Sequence, residues 1–448
     1  MNDACGLPEK FVLHGIDYIA ATLIRAMAQG VWLPNLEICG KTFDLKSAYK
    51  QYPIHQTDRE HLRIAIQDPG AKKPRLFGLN ALPFGATGSV AGFLRVSAAL
   101  FFILTTGLKI WCSAFFDDFP TLATNALAGN TEKSVGLLFD LLGVEHARTG
   151  KKCQPFGEEM RALGLIFDLR QFGQGKIFIK HTPERRQELL GRLAEILEKG
   201  TLTPKEAESL KGRIQWYESY LFGRVANLAI HRVGKRSLAQ PALRSTKLDA
   251  ELKAALLFLK DRINTGSPLE LTAATERTLL VFTDGAFEAE QELATVGGIL
   301  CDDTGKPLRF FSERVPKLML QDLMEEAQNP IYLIELLAAY LAVFLWGGLH
   351  SSRYVVAYID NEASRLALIK AYSSTKLGNA MVRMFVNLED NSQWKIWFGR
   401  VGSHSNPSDD PRRLHVEDIL QRGAVQDSVA WDVVLMSFED TVHELGRG

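Results

Sequence analysis

The stretch Ile110-Trp111-Cys112-Ser113-Ala114-Phe115-Phe116-Asp117-Asp118-Phe119 decides how this chain is read. A mostly apolar run ends in two adjacent aspartates. Carboxylates side by side at the end of a buried run repel each other and are costly to desolvate, and a common reason to hold them there is a cation. A third acid in the same setting lies upstream, Asp44 in Lys41-Thr42-Phe43-Asp44-Leu45. Strand-borne acids that meet in space make a hard-oxygen site suited to Mg²⁺. Paired ions about 3.5–4 Å apart serve phosphoryl transfer on nucleic acids.

Working outward, residues 40–180 alternate β-rich runs with helical patterns. Strands are expected over 41–45, 62–67, 75–82, 110–119, 160–169 and 176–180, and helices over 89–108 and 132–142. Such interleaving predicts an α+β palm, an antiparallel sheet backed by helices. From 183 to 263 the pattern becomes helical, with start signals at Pro183-Glu184 and Thr203-Pro204-Lys205-Glu206. Inside it, Arg224, Arg232, Lys235, Arg236, Arg244 and Lys247 form a run without an acid. It reads equally as a solvated helical face or as phosphate contact.

Asn264-Thr265-Gly266-Ser267-Pro268 is the best linker candidate. The order after it is βββ-α-β-α-α-β: strands 278–283, 295–301 and 307–312, helix 331–346, strand 354–359, helices 362–371 and 376–390, and strand 394–401. Asp284 ends the first strand, Glu335 interrupts the apolar helix, Asp360 ends the fourth strand, and Asp409-Asp410 follow the fifth. A sheet can bring these positions to one face, giving a second carboxylate constellation. Glu335 is the hardest of them to explain blandly, because an unpaired carboxylate on an apolar helix is costly.

A chain of 448 residues is long for one domain, and two or three are expected. Lys+Arg and Asp+Glu both number 52, a balance that argues mildly against a nucleic-acid binder without excluding local basic surface. Cysteines 5, 39, 112, 153 and 301 have no metal-ligand spacing and read as reduced thiols of an intracellular protein, cytoplasmic or nuclear and not secreted. The apolar runs 96–108 and 336–349 fall short of the ~20 residues that span a bilayer, so buried helices and no membrane partner are expected. Asp303-Thr304-Gly305 spells an aspartic-protease triplet, but its place between two strands predicts a hairpin turn.

These residues resemble known families. Residues 44–51, with Asp44 and Tyr49, look like the first motif of a reverse-transcriptase palm. Leu82-Pro83-Phe84-Gly85 looks like the second, Phe115-Phe116-Asp117-Asp118 is similar to its Tyr-x-Asp-Asp box, and Lys151-Lys152-Cys153 and Leu163-Gly164-Leu165-Ile166-Phe167 resemble the motifs that follow. Thr283-Asp284-Gly285-Ala286, Glu335, Asp360-Asn361 and residues 406–413 resemble a ribonuclease H domain, the last favouring Asp409 over Asp410. Residues 212–216 and 222–224 resemble the segment that joins the two domains. The order resembles the polymerase segment of an LTR-type or DIRS-like retrotransposon.

The resemblance implies an RNA-directed DNA polymerase with ribonuclease H activity. It implies two Mg²⁺ per site, Mn²⁺ being an alternative. The ligands would be Asp44, Asp117 and Asp118 in one site and Asp284, Glu335, Asp360 and Asp409 in the other. Lys152, in preference to Lys151, would protonate the leaving pyrophosphate, and Tyr49 would exclude ribonucleotides. Phe84 and Gly85 would shape the base-pair pocket, and Arg224, Arg232, Lys235 and Arg236 would track the backbone. Partners would be an RNA template, a DNA primer, dNTPs and an RNA/DNA hybrid, with integrase or recombinase on another chain. The implied division is a palm with a finger remnant over 1–182, a helical thumb or connection over 183–268, a ribonuclease H-like domain over 269–422 and a tail over 423–448. Only Asn2–Leu7 represents the finger motif, so truncated fingers are expected. The alternatives are an impaired relic, a nucleic-acid-binding module, or a ribonuclease H active alone.

Overall fold

The computed structural model describes residues 10–29, 37–221, 224–238, 246–273, 277–349, 354–392 and 394–446. The finger remnant 2–7, residues 222–223 and Arg244 of the basic run lie outside the described residues. The fold is mixed α+β and divides into two compact units. The first comprises residues 1–183 with 267–274, and the second 184–266 with 275–448.

The first unit begins with α1 (Ile16–Gln29) and β1 (Ile38–Asp44), followed by the ribbon β2 (Arg63–Gln67) and β3 (Pro74–Gly78), exposed along its whole length. Then come α2 (Thr87–Phe102), β4 (Trp111–Cys112), β5 (Asp118–Thr124) and α3 (Ala128–Leu141). Strands β6 (Glu159–Ala162), β7 (Leu165–Asp168), β8 (Lys176–His181) and β9 (Leu269–Thr272) complete it. β1, β5 and β4 make one antiparallel sheet in the order β1-β5-β4, and β6 to β9 make another in chain order. Phe43, Phe93, Leu100, Phe119 and Phe139 fill the core beneath the first sheet.

Two expected strands are hairpins. The run 110–119 turns back at Phe116-Asp117, so Asp118 opens β5 instead of closing one long strand. The run 160–169 turns at Leu163-Gly164, both at positive φ. In each case the apolar pattern continues into a tight turn whose first residue, Phe116 or Leu163, is bulky and left-handed, so the single Asp117 or Gly164 after it does not stand out as a break. α2 continues as a π-helix to Gly107, making 21 residues long and apolar enough to cross a membrane by length and composition. Counted over 96–108 alone, the run falls short of that length; the helix that carries it starts earlier, at Thr87. Its Phe93, Leu100 and Leu104 pack into the core described above.

The second unit opens with α4 (Pro183–Lys199), α5 (Pro204–Leu221), α6 (Asn227–Ser237) and α7 (Ala250–Thr265). Thr203 and Glu206 cap α5 reciprocally: Glu206 Oε2 accepts from Thr203 N at 2.9 Å, and Thr203 Oγ1 accepts from Glu206 N at 3.3 Å. β10 (Leu279–Glu288), β11 (Leu293–Cys301) and β12 (Pro307–Arg314) follow, then α8 (Lys317–Glu326), α9 (Ile331–Trp346) and β13 (Tyr354–Ile359). The unit ends with α10 (Glu362–Lys370), α11 (Lys376–Ser392), β14 (Lys395–Arg400), α12 (Asp409–Arg412), α13 (Glu417–Gln421), β15 (Val425–Gln426) and α14 (Trp431–Gly446). The sheet order is β14-β13-β10-β11-β12-β15. The Asp303-Thr304-Gly305 triplet is the β11–β12 turn, where Asp302 Oδ1 accepts from Thr304 and Lys306.

Three boundaries differ from the sequence reading. Residues 269–272 pair with β8 in the first unit instead of opening the second. The helices of 184–266 belong to the same compact unit as the six-stranded sheet. Residues 423–448 are not an appendage: β15 pairs with β12, and Val434 and Phe438 of α14 lie in the core with Trp346 and Phe385. α8, which the reading omitted, buries Met319, Leu320 and Leu323.

Candidate active sites

In the first unit the register of β1 against β5 places Asp44 directly opposite Asp118. Phe115 and Asp118 exchange backbone hydrogen bonds of 2.9 and 3.0 Å across a two-residue turn. Phe116 there sits at φ 51°, a left-handed conformation that a bulky residue adopts only when its surroundings enforce it. Ser97 Oγ donates to the Phe116 carbonyl at 2.8 Å, and Leu45 N donates to the Asp117 carbonyl at 2.9 Å. The strained turn thus holds Asp117 and Asp118 beside Asp44.

The electrostatics record that crowding. Burial, with Asp117 and Asp44 close by, pushes Asp118 up to about 7. Burial also raises Asp117. Lys152 Nζ donates to Asp44 Oδ2 at 2.6 Å, an ion pair that raises the lysine. A cleft of about 720 Å³ opens beside Asp44 and is lined by Lys46, His146, Arg148, Lys151 and Lys152. The sequence reading singled out the two lysines of 151–152. Lys46 and Arg148 it missed, because only the fold carries them to the same cleft.

Tyr49 stacks on Phe93 with ring centroids 4.7 Å apart and meets Phe84 at 4.9 Å. Burial and then Asp117 raise its hydroxyl. Phe84 is 71% exposed, and Gly85 takes φ 86°, which favours glycine. An aromatic shelf therefore stands next to the acids, with one face open.

In the second unit three elements deliver three acids. β10 runs parallel to β13 with Thr283 paired to Ile359, so Asp284, which lies within β10 where the sequence suggested a strand end, sits beside Asp360, the first residue beyond β13. α9 crosses β10 and presents Glu335, which is 3% exposed. Ligand oxygens of Asp284, Glu335 and Asp360 lie within 4.8 Å of one another. Among the described residues this is the only such group of three.

Glycines make the approach possible. A Cβ at Gly285 would lie 2.8 Å from Ile334 Cγ2 and 3.2 Å from the Glu335 backbone nitrogen. A Cβ at Gly297, which pairs with Asp284, would lie 2.4 Å from the backbone nitrogen of Arg412. These contacts set α9 and α12 tightly against the strands that carry the acid.

Asn406 and Ser408, both buried, fasten the loop before α12. Asn406 Nδ2 donates to the Thr283 carbonyl at 3.0 Å, and its Oδ1 accepts from Ser408 Oγ at 2.7 Å. Asp409 starts α12 and pairs with Arg412 and, at 2.9 Å, with Arg413. Burial works against ionisation of Asp409, but the two arginines hold it below the usual carboxylate range. Arg412 Nε also stands 2.8 Å from Asp284 Oδ2. Sequence reading missed Asn406, Ser408 and Arg412 as parts of this site. The loop motif contained them, but their contacts are with β10. His404 is exposed and stands apart from these contacts.

The second site fits a divalent cation. Burial, followed by Asp360 and Asp284 nearby, pushes Glu335 up to about 10. Burial, against the pull of Arg412, pushes Asp284 up to about 6. Glu335 Oε2 and Asp360 Oδ1 are buried without a hydrogen-bond partner. Three crowded hard-oxygen donors with orphaned lone pairs are the donor set that Mg²⁺ or Mn²⁺ takes.

Among the described residues of the basic run, the three arginines are paired within the fold. Arg224 pairs with Glu389, donates to the Leu368 carbonyl at 2.9 Å and lies 4.5 Å over the Phe398 ring. Arg232 pairs with Asp249 and Glu251, each at 2.8 Å. Arg236 reaches the Lys247 carbonyl at 2.7 Å and Asp249 at 3.6 Å. Lys235 is exposed. The run lacks acids in sequence, but the fold supplies them from just beyond it and from α11.

Taken together, the chain is a two-unit α+β protein with a carboxylate centre in each unit. No family profile matches it, and no curated protein matches it. Two similar solved structures are a foamy viral protease-reverse transcriptase in complex with dsDNA and the foamy viral protease-reverse transcriptase dRH in complex with ds DNA. The first is 18% identical with a TM-score of 0.43, over 90% of this chain and 73% of that one. The second is 16% identical with a TM-score of 0.43, over 89% of this chain and 61% of that one. This chain thus spans less than two thirds of the length of the second.

Proposed function

We propose that this protein is an RNA-directed DNA polymerase with ribonuclease H activity from a retrotransposon of the LTR or DIRS-like type. The observation that carries the reading is the convergence of Asp284, Glu335 and Asp360 from three separate elements onto one buried point with orphaned oxygens. The Asp44–Asp118 pairing at a strained hairpin supports the polymerase half.

In this reading Asp284, Glu335, Asp360 and Asp409 hold divalent cations, as do Asp44, Asp117 and Asp118. Bound there, Mg²⁺ or Mn²⁺ supplies charge neutralisation and an activated oxygen for displacement at a phosphodiester. Tyr49 and Phe84 stack beneath the incoming sugar and base pair, and the bulk of Tyr49 disfavours a 2′-hydroxyl. Lys152, already on Asp44, donates a proton to the leaving pyrophosphate in the cationic cleft. RNA template, DNA primer, dNTPs and an RNA/DNA hybrid are the partners. The compartment is cytoplasmic or nuclear, and an integrase or recombinase acts from another chain.

One observation favours a nuclease-only reading: the described group of three carboxylates close enough to share an ion lies in the second unit alone. A paired assay at millimolar Mg²⁺ separates the readings. One arm follows deoxynucleotide addition to a primed RNA template, and the other follows cleavage of the RNA strand of a hybrid. Loss of extension only in Asp117→Asn and of cleavage only in Asp360→Asn is the expected result. Cleavage without extension by the unmutated chain selects the nuclease-only reading. Neither activity leaves a nucleic-acid-binding module or relic.

A further inference from the structure

Arg412 reaches two of the acids of this centre. Its guanidinium pairs with Asp409 and stands 2.8 Å, through Nε, from Asp284 Oδ2. That Nε contact is ionic without hydrogen-bond geometry, and the nitrogen is buried with no hydrogen-bond partner. Asp284 is thus shared. It groups with Glu335 and Asp360, whose buried oxygens Oε2 and Oδ1 have no hydrogen-bond partner, and it also pairs with Arg412, which in turn pairs with Asp409. The backbone of Arg412 cannot drift, because it rests against Gly297, the residue opposite Asp284. A positive charge on a short tether is therefore held between two of the four acids.

We propose that Arg412 is a tethered counter-cation that competes with the second divalent ion of this centre. The first ion enters beside Glu335 and Asp360, where no cation stands. A second would be held by Asp284 and Asp409, the two acids the guanidinium now pairs with, so the guanidinium would have to leave them for it to bind. Arg412 therefore sets the order and the spacing of the two metal affinities. It also neutralises Asp284 and Asp409 while the centre is empty, which limits the repulsion that four acids would otherwise exert. Arg413 is the natural control, since it pairs with Asp409 at 2.9 Å from an exposed position.

The inference rests on the nuclease reading, and its test keeps the two apart. Mn²⁺ binding is measured by calorimetry on the full chain in an Asp117→Asn background, so that the acids of the first unit contribute less. Arg412→Gln, Arg412→Lys, Arg413→Gln and Glu335→Gln are compared, with folding checked by circular dichroism. The expected result is two steps in the parent, the weaker tightening about tenfold or more in Arg412→Gln. Arg412→Lys, which keeps a charge, and Arg413→Gln stay within a few-fold of the parent. Should Arg412→Gln fail to fold, Arg412→Met, which removes the charge and keeps most of the side-chain length, carries the same test. A second step unchanged or weakened in a folded Arg412→Gln or Arg412→Met overturns the inference while the metal centre stands. Absence of any step that Glu335→Gln removes overturns the metal centre itself.

Discussion

Glu335→Gln should make the metal-free protein more stable at neutral pH while ending hybrid cleavage. Glu335 is 3% exposed, and its carboxyl, usually near 4.5, is pushed up to about 10 by burial and by Asp360 and Asp284. A raised pKa means that the fold prefers the acid form. The associated stability is fully present below pH 4.5 and declines as pH climbs towards 10. Each pH unit in that window costs about 1.4 kcal/mol, so at pH 7 the metal-free protein has forgone about 3 kcal/mol. Glutamine keeps the shape and the neutral charge and does not titrate. Wild type and variant should melt together at pH 4 and separate above it. By pH 7 the variant should melt higher by on the order of 10 °C for a unit of this size. Scanning calorimetry in chelator across pH 4–8 reads the difference. Added Mn²⁺ should raise the wild type and do far less to the variant, because a bound cation cancels the repulsion only where the carboxylate exists. A variant that melts below wild type at pH 7, or a gap that does not grow with pH, refutes the reasoning.

Other substitutions probe the supports of both centres. Gly297→Ala puts a methyl 2.4 Å from the backbone of Arg412 and must lift α12 from β11. Unfolding in urea should show a loss of about 1–3 kcal/mol, and hybrid cleavage should fall roughly 100-fold as Asp409 shifts. Asn406→Ala removes the donor to the Thr283 carbonyl and the acceptor for Ser408, and should cost about 1–3 kcal/mol in the same titration. Arg224→Ala removes the guanidinium paired with the largely covered Glu389 carboxylate and should cost about 3 kcal/mol. The salt dependence of nucleic-acid binding should stay the same, whereas loss of a phosphate contact would lower its slope by about one. Tyr49→Ala should raise ribonucleotide incorporation by primer extension about tenfold or more relative to deoxynucleotides. An unchanged ratio removes the sugar-selecting role.

The sequence was readable where one local rule governs. The reciprocal Thr203–Glu206 cap, the all-apolar α9 interrupted by Glu335, and the βββ-α-β order each announce themselves through spacing or periodicity. It was less readable at tight turns. Phe116 and Leu163 take left-handed conformations that local propensity disfavours, so two hairpins read as single strands. There the tertiary environment, including the Ser97 hydrogen bond to the Phe116 carbonyl, overrides local preference. The partners of the basic run were hidden for a similar reason. Charge counted along the chain omits Glu389, which lies far from Arg224 in sequence and against it in space.

Which acids are the candidates was legible in the sequence, because a carboxylate inside or at the end of an apolar run, as at Glu335 or Asp117, is costly to bury, and the order of the motifs picks out its companions. How those acids meet was decided by the tertiary structure. The register of β10 against β13 sets Asp284 beside Asp360, Gly285 and Gly297 admit α9 and α12, and Asn406 fastens the last loop to β10. Only the fold places Arg412 between Asp284 and Asp409, because charges far apart along a chain interact according to distance in space.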